Sequence, residues 1–175
     1  NVENDIVWAG DNKTFLYVEK DPETLLGYKI RKHSIDSANR DDVSKDPLVW
    51  EQKDTSFYTS VSKTKDEKFL LISTQSTLSA EVWFADANDP ALDFKMFLPR
   101  ERDHEYQVDH ANGRWIVRTN WQAKNFRIME VKPGDEVDRA KWRDVVGHRD
   151  DAFVDAFDVS KNFLTVEEHS GGLRK

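Results

Sequence analysis

Two histidines and two aspartates lie within eight residues of one another and mix side chains that commonly bind metal ions. They are Asp103, His104, Asp109 and His110. On one extended strand the two histidines would share a face, but they would lie roughly 20 Å apart at about 3.3 Å per residue. Zinc binds nitrogen at about 2 Å, so one ion cannot hold both unless the chain turns between them. Asn112 and Gly113, which favour a turn, come only after His110. The spacing therefore argues against a metal site, and we expect no cofactor.

Serine chemistry of the α/β-hydrolase type needs a Gly-x-Ser-x-Gly turn, whose small residues expose the nucleophile. No serine here has glycine at both flanking positions, and the chain has only seven glycines. They form neither a Gly-x-Gly-x-x-Gly loop nor a P-loop. Adjacent carboxylates such as Glu167-Glu168 and Asp150-Asp151 would point to opposite faces of a strand, so we interpret them as solvated. We predict no catalytic residue in this chain.

The chain is acidic, with 33 Asp and Glu residues against 26 Lys and Arg and a net charge of −7 at pH 7. Its densest basic group, Lys29, Arg31 and Lys32, is too small to follow a phosphate backbone, so we expect no nucleic-acid partner. No stretch reaches the roughly 20 apolar residues that span a bilayer, so we expect no membrane partner. The absence of cysteine excludes disulfides and thiolate zinc sites and is compatible with the cytoplasm or the periplasm.

Short apolar runs recur along the chain at nearly equal spacing, each after a polar, turn-forming segment. The first series begins, at intervals of 54, 46 and 48 residues, at Phe15, Phe69, Trp115 and Phe163. A second series, which mostly alternates apolar and polar residues as half-buried strands do, begins at Tyr28, Glu81 and Phe126. A third begins at Leu48, Phe94 and Trp142. This recurrence indicates a repeat.

A fourth element begins with a basic residue, then an aspartate, then an aromatic residue three positions after the aspartate. Its three copies are Lys53–Phe57, Arg102–Tyr106 and Arg149–Phe153. We predict that the aspartate accepts backbone N–H bonds in the turn before the fourth strand and that the ring packs between sheets. Repetition argues against a catalytic role for these aspartates, because a reaction needs one special site.

Four short strands in each repeat of about 40 to 50 residues are typical of a β-propeller blade. We therefore predict an all-β fold: a partial propeller of about three and a half four-stranded antiparallel blades within one domain. The repeats cover roughly residues 6–61, 62–110, 111–157 and, in part, 158–175. Propellers usually close with about four to eight blades. We expect this chain, which does not begin with Met, to be part of a larger ring and to self-associate in isolation.

Four segments give the sequence a resemblance to a known family: Ser79–Ala87, Arg102–His110, Arg118–Phe126 and His148–Asp151. Through them the stretch from Trp8 to Leu173 resembles the propeller of prolyl oligopeptidase-family serine peptidases, particularly their oligopeptidase B (protease II) branch. That branch more often has a tryptophan before a basic-His pair, where Ile30 stands here.

The resemblance implies a seven-bladed propeller that caps an α/β-hydrolase domain carrying a Ser, Asp and His triad. None of the triad falls in this segment, so the hydrolase domain and the remaining blades would be its partners within one chain. In such enzymes the propeller restricts access, so that only short peptides reach the buried site, and oligopeptidase B-like members cleave after Lys or Arg. The segment would then be a non-catalytic filter of a serine endopeptidase for short basic peptides.

The same resemblance suggests where a substrate would pass. Residues Ser73–Thr77 follow the strand that looks innermost in its blade and align roughly with a family loop that faces the substrate cavity. Thr74 and Gln75 are therefore candidate cavity-lining residues, with an ordinary polar loop as the alternative.

Two other functions compete with this one. One is a stand-alone propeller that binds a protein or peptide on its loops. The other, a carbohydrate-binding propeller, rests on the six tryptophans. Trp83 and Trp115 lie inside apolar strand runs and are predicted to be inter-blade core, and the incomplete fourth repeat argues against both alternatives.

Overall fold

The computed structural model describes all 175 residues as four antiparallel β-sheets that follow one another along the chain. Sheet 1 contains β1 (Val2–Trp8), β2 (Thr14–Lys20), β3 (Gly27–Ser34) and β4 (Leu48–Glu51). Sheet 2 contains β5 (Tyr58–Lys63), β6 (Phe69–Gln75), β7 (Ala80–Asp86) and β8 (Lys95–Leu98). Sheet 3 contains β9 (Tyr106–Ala111), β10 (Arg114–Thr119), β11 (Arg127–Val131) and β12 (Arg143–Val146). Sheet 4 contains β13 (Ala152–Val159), β14 (Leu164–Ser170) and β15 (Leu173–Arg174).

Within each sheet the strands pair in chain order, so every sheet is a simple meander. The first strands of successive sheets approach one another, β1 with β5 and β9 with β13, as the innermost strands of a propeller do. The predicted all-β, partial-propeller architecture is confirmed. The helical content is two 3₁₀ turns, Val43–Lys45 and Arg139–Lys141, and neither has the length or apolar character to cross a membrane.

The strand that follows each Lys/Arg-Asp-x-x-aromatic pattern pairs differently from the predicted repeats. The repeats ending at residues 61, 110 and 157 group this strand with the sheet before it. In the structure β5, β9 and β13 instead begin the sheet that follows. The hydrogen-bonded sheets accordingly span residues 2–51, 58–98, 106–146 and 152–174. Spacing alone gives the period but not the strand at which a sheet begins, because shifting every boundary by one strand leaves the period unchanged.

The hydrophobic core lies between the sheets. Sheets 1 and 2 enclose one cluster that includes Leu16, Val18, Leu70 and Ile72. Sheets 2 and 3 enclose a second, around the fully buried Phe97 and Trp115. A third lies between sheets 3 and 4 and includes Phe126, Ile128 and Val154. The predicted inter-blade role of Trp115 and Trp83 is confirmed, since Trp83 packs on the first cluster and lies 6.5 Å, ring to ring, from Trp50 of sheet 1.

The first series of apolar runs is offset by one residue in sheet 2. Phe69 opens β6 as Thr14 opens β2 and Arg114 opens β10. Its ring therefore points towards sheet 3, where it lies 4.7 Å from the ring of Trp115, whereas Trp115 points back towards sheet 2. Alternate residues of a strand face opposite sides of the sheet. Aligning Phe69 with Trp115 by sequence would put their side chains on equivalent faces, and that alignment is wrong by one residue.

The sheets have two different ends. The hairpin end carries the tight turns at residues 9–13, 64–68, 112–113 and 160–163. The linking end carries the connections between sheets, residues 52–57, 99–105 and 147–151. It also carries the loops between second and third strands at 21–26, 76–79 and 120–126. Antiparallel pairing places the C-terminal end of β6 at the linking end.

Candidate functional site

The two candidate cavity-lining residues lie at the linking end but have opposite environments. Thr74 and Gln75 are the last two residues of β6, the second strand of sheet 2 and not its innermost strand. Gln75 is exposed and pairs with Tyr58 of β5, which is 67% exposed. Thr74 is fully buried and faces sheet 1, as Ile72 does two residues earlier. Gln75 and Tyr58 are thus the members of this group that a ligand can reach, while the lining role itself stays a prediction.

Thr74 is paired with a second buried threonine. It lies opposite Thr59 on β5, and neither Oγ1 atom has a hydrogen-bond partner. Close packing against sheet 1 seals this spot: a Cβ atom on Gly27 would lie 3.1 Å from the carbonyl oxygen of Thr59. Thr74 therefore contributes to the joint between sheets 1 and 2.

His104 is the centre of a buried polar network on the connection between sheets 2 and 3. Its Nε2 lies 2.9 Å from Oγ1 of Thr119, and its Nδ1 accepts a hydrogen bond of 3.1 Å from Nη2 of Arg139. Arg139 also binds Glu101 through two hydrogen bonds of 2.9 and 3.1 Å. Burial, and then the positive charge of Arg139, lower the pKa of His104 to about 4. The imidazole is therefore neutral at pH 7 and donates from Nε2 to Thr119.

His110, at the other end of the same strand, has separate partners. Its Nδ1 lies 2.8 Å from Oδ2 of Asp66 in the hairpin turn of sheet 2, and its ring packs on Phe69 and Trp115. Burial raises the pKa of the neighbouring Asp109, against the opposing hydrogen bonds from the backbone N–H groups of Lys65 and His110. The two histidines thus stabilise opposite ends of the joint between sheets 2 and 3.

The Lys/Arg-Asp-x-x-aromatic pattern is partly as predicted. Asp54 accepts hydrogen bonds from the backbone N–H and the hydroxyl of Ser56, which lower its pKa together with the charge of Arg100. The guanidinium of Arg100 also lies 3.4 Å above the ring of Phe57. Asp103 and Asp150 accept no backbone N–H and instead lie beside Arg102 and Lys124. The predicted turn-capping is confirmed for Asp54 and wrong for the other two.

The aromatic residue of the pattern does join sheets. Tyr106 is buried. Its hydroxyl accepts a 2.9 Å hydrogen bond from the backbone N–H of Val82 and donates a 2.9 Å hydrogen bond to the carbonyl oxygen of Leu98. Both partners belong to sheet 2, whereas Tyr106 begins sheet 3. Phe153 of sheet 4 also packs across a joint, on the ring of Phe126 in the loop before β11, at 5.3 Å between ring centroids.

The adjacent carboxylates are bound by basic side chains. Glu168 accepts a 2.9 Å hydrogen bond from Nη2 of Arg149, and Glu167 pairs with Arg174. Asp150 pairs with Lys124 at 3.0 Å, which lowers the pKa of that aspartate. Asp151 lies 3.6 Å from the same Arg149, so each carboxylate has a basic partner and one arginine serves two of them.

The gap between sheets 3 and 4 at the linking end contains a group that the sequence did not reveal. Arg118, near the end of β10, is buried and donates from Nε to the carbonyl oxygen of Val154 on β13, at 2.9 Å. Asn125 closes the same gap, since its side-chain nitrogen donates to the carbonyl oxygens of Arg149 and Asp150. Arg118 opens one of the segments that carry the family resemblance, but its sequence does not indicate that it is buried, and only the three-dimensional packing shows this.

Comparison with known proteins agrees with this architecture. The family model for "Prolyl oligopeptidase, N-terminal beta-propeller domain" matches residues 1–175. Dipeptidyl aminopeptidase BI of Pseudoxanthomonas mexicana is 42% identical over 174 residues, which are 99% of this chain and 23% of that protein. The chain thus spans about a quarter of the length of this relative.

Two solved structures have the same fold over nearly the whole chain. Oligopeptidase B from Leishmania major superposes with a TM-score of 0.87 at 28% identity, covering 97% of this chain and 23% of that one. Oligopeptidase B from Trypanosoma brucei, in its closed form with covalently bound antipain, superposes with a TM-score of 0.88 at 23% identity, covering 99% and 24%.

Proposed function

Since this chain belongs to the prolyl oligopeptidase family, as its N-terminal propeller domain, we propose that it is the substrate-filtering part of a serine peptidase. The observation that carries the proposal is the match of the propeller family model to every residue of the chain. In the proposed enzyme the α/β-hydrolase domain and further blades, to a total of seven, belong to the same chain and complete a ring around the site. The segment itself supplies no nucleophile.

The proposed filter acts by geometry. Sheets that pack face to face through apolar clusters form a rigid wall, and a rigid wall excludes folded proteins while short, extended peptides pass. Gln75 and Tyr58 are exposed at the linking end of sheet 2, and we place them, with Thr74 behind them, on the cavity side. A peptide there would meet a polar amide and an aromatic ring, which suit main-chain groups and side chains respectively.

We further propose that the enzyme cleaves after Lys or Arg. The likeness to oligopeptidase B from Leishmania major supports this specificity. The test is hydrolysis of a short chromogenic Arg-amide peptide by the full-length protein and by this segment at matched concentration, with the corresponding Ala-amide as control. Activity in the full-length protein alone supports the proposal. Activity in the segment, or an Ala-amide hydrolysed as fast as the Arg-amide, contradicts it.

A second specificity is favoured by the relative at 42% identity, which is named a dipeptidyl aminopeptidase. Such an enzyme releases two residues from a free amino terminus. Comparing Ala-Arg-p-nitroanilide with its N-acetylated form separates the two: endopeptidase cleavage tolerates the acetyl group, whereas dipeptidyl aminopeptidase cleavage does not. A full-length protein that cleaves none of these peptides would favour the stand-alone propeller, which binds a protein or peptide without cleaving it.

The isolated segment is also proposed to self-associate. The free face of sheet 1 exposes Val2, Ile6 and Trp8, a density of apolar side chains that monomers normally cover. In the proposed ring another blade covers this face. Sedimentation of the isolated segment tests the idea, because an Ile6→Lys variant should shift the population towards the monomer, and a wild-type segment that is already monomeric would contradict it.

A further inference from the structure

Arg118 differs from every other arginine in the chain. The other arginines each have a carboxylate oxygen within 3.6 Å. Arg118 has no such partner, yet it is the one arginine that is buried, with 8% of its surface exposed. A buried guanidinium without a counter-ion is costly, so its position needs an explanation.

The guanidinium of Arg118 is held in a fixed plane. Its carbon lies 3.6 Å from the ring centre of Phe126 and 5.9 Å from that of Phe153, and these two rings lie 5.3 Å from each other. The Nε donates to the carbonyl oxygen of Val154 at 2.9 Å. These contacts use one of the three nitrogens and pack the group against a pair of aromatic rings. Nη1 and Nη2 donate to no protein group, and neither is closed off from solvent. Arg118 therefore presents a pair of oriented, unused donors.

The charges around Arg118 indicate which kind of acceptor group those donors can bind. Burial lowers the pKa of Arg118, and the negative charges of Glu105 and Asp155 oppose that effect. Glu105 precedes β9 and Asp155 lies on β13, so both carboxylates are near enough to influence the guanidinium, yet neither forms an ion pair with it. A carboxylate ligand would be repelled by both, whereas an uncharged carbonyl oxygen can accept from Nη1 and Nη2 without that repulsion.

We propose that Nη1 and Nη2 of Arg118 bind a main-chain carbonyl oxygen of a peptide at the linking end of the joint between sheets 3 and 4. The site rests on the proposed peptide-filtering function and deepens it, since it fixes the backbone of a substrate independently of its side chains. Gln107, which pairs with Arg118 across β9 and β10 and is exposed on the innermost strand, marks the approach to the site.

Binding to the full-length protein tests the proposal without requiring cleavage. The probe is N-acetyl-tetra-alanine amide, which has several carbonyl groups, no charge and no Lys or Arg, and isothermal titration gives its Kd. Arg118→Met keeps the length and apolar stem but removes the donors, and should weaken binding by about tenfold, the range expected for losing hydrogen bonds from a charged donor. Arg118→Gln, which keeps an uncharged N–H donor, should recover part of the loss.

The matched control is Arg102→Met. Arg102 is on the same end of the molecule, its side chain is 89% exposed, and it pairs with Asp103 at 3.6 Å, so its loss should leave Kd unchanged. Thermal unfolding of each variant shows whether it folds, and the Gln variant keeps the test decisive if the Met variant does not.

Each result decides between the proposal and a purely structural role. Equal Kd values for wild type and Arg118→Met, no binding of the amide to wild type, or tenfold tighter binding of the free-acid peptide than of the amide would each overturn it. The proposed function fails separately, when the wild type binds the amide but hydrolyses no Arg-amide substrate.

Discussion

Nδ1 of His110 lies 2.8 Å from Oδ2 of Asp66, so a hydrogen bond between buried and half-buried side chains joins the first strand of sheet 3 to the hairpin turn of sheet 2. Burial alone would raise the pKa of Asp66. Hydrogen bonds from His110, Thr64 and the backbone N–H of Lys68 outweigh burial and hold that pKa below its ordinary value. The ionised carboxylate is therefore the form that stabilises this joint.

Asp66→Asn should lower the free energy of unfolding at pH 7 by about 1–3 kcal/mol, because the buried imidazole loses a charged acceptor. Asp66 has a lower pKa in the folded than in the unfolded chain. Its contribution is thus complete above the ordinary pKa of about 4 and is lost as the pH falls through the folded value. Urea unfolding at several pH values checks this. The Asn variant should lose less stability than wild type on acidification, and parallel pH curves would contradict the assignment.

Tyr106→Phe should destabilise the chain by about 1–3 kcal/mol, because the backbone N–H of Val82 is left buried without its acceptor. Tyr58→Phe is the control, since the hydroxyl of Tyr58 makes no hydrogen bond and its side chain is exposed. Equilibrium unfolding in urea measures both. Equal midpoints for the two variants would show that the bridge between sheets 2 and 3 contributes nothing.

Gly27→Ala should destabilise the joint between sheets 1 and 2. The new Cβ would lie 2.6 Å from Cγ1 of Val18 in the same sheet and 3.1 Å from the carbonyl oxygen of Thr59 in sheet 2, so Val18 must shift and the sheets must separate slightly. Overpacking of this kind costs about 1–3 kcal/mol. Gly147→Ala is the control, since nothing lies within 4 Å of its Cβ position. If both variants unfold at the same temperature, the sheets are less tightly packed than the contacts indicate.

The period of the sheets could be predicted from sequence because each strand carries its own signal: a turn, an apolar run and an alternating pattern within about ten residues. The partner of a strand carries no such local signal. Tyr106 looks the same whether β9 ends one sheet or begins the next, and only the pairing of β9 with β10 shows that it begins sheet 3. The same holds for Phe69, whose one-residue offset depends on where β6 begins.

The candidate site was less predictable than the fold. Thr74 and Gln75 were named as candidates through a family resemblance, and the structure leaves Gln75 exposed and buries Thr74, while the lining role stays a prediction. Arg118 was not singled out, because its burial depends on Phe126 and Phe153, which lie elsewhere in the chain, and because its lack of a carboxylate partner is visible only in the folded structure. A missing contact leaves no trace in a sequence pattern.

His104 should stay neutral far below the ordinary histidine range. Its pKa is lowered to about 4, mainly by burial, so its imidazole resonances should not titrate between pH 7 and pH 5. Because the unfolded chain takes up that proton near pH 6.5, stability should fall as the pH drops from about 6.5 to about 4. His104→Gln should flatten this part of the curve. A histidine signal at this position that titrates near pH 6.5 would refute the buried network with Arg139.

Gln75→Ala tests the cavity-lining assignment by its effect on substrate. If Gln75 lines the cavity as proposed, losing one neutral hydrogen bond to a peptide should raise KM of the full-length protein about three- to tenfold while kcat stays within about twofold, because the proposed contact is away from the reacting bond. Asn162→Ala, an exposed polar residue at the opposite hairpin end, should change neither constant. An unchanged KM for Gln75→Ala would return residues 73–77 to the alternative of an ordinary polar loop. A fall in kcat with KM unchanged would also contradict the assignment, because a residue that only contacts substrate away from the reacting bond should act through KM.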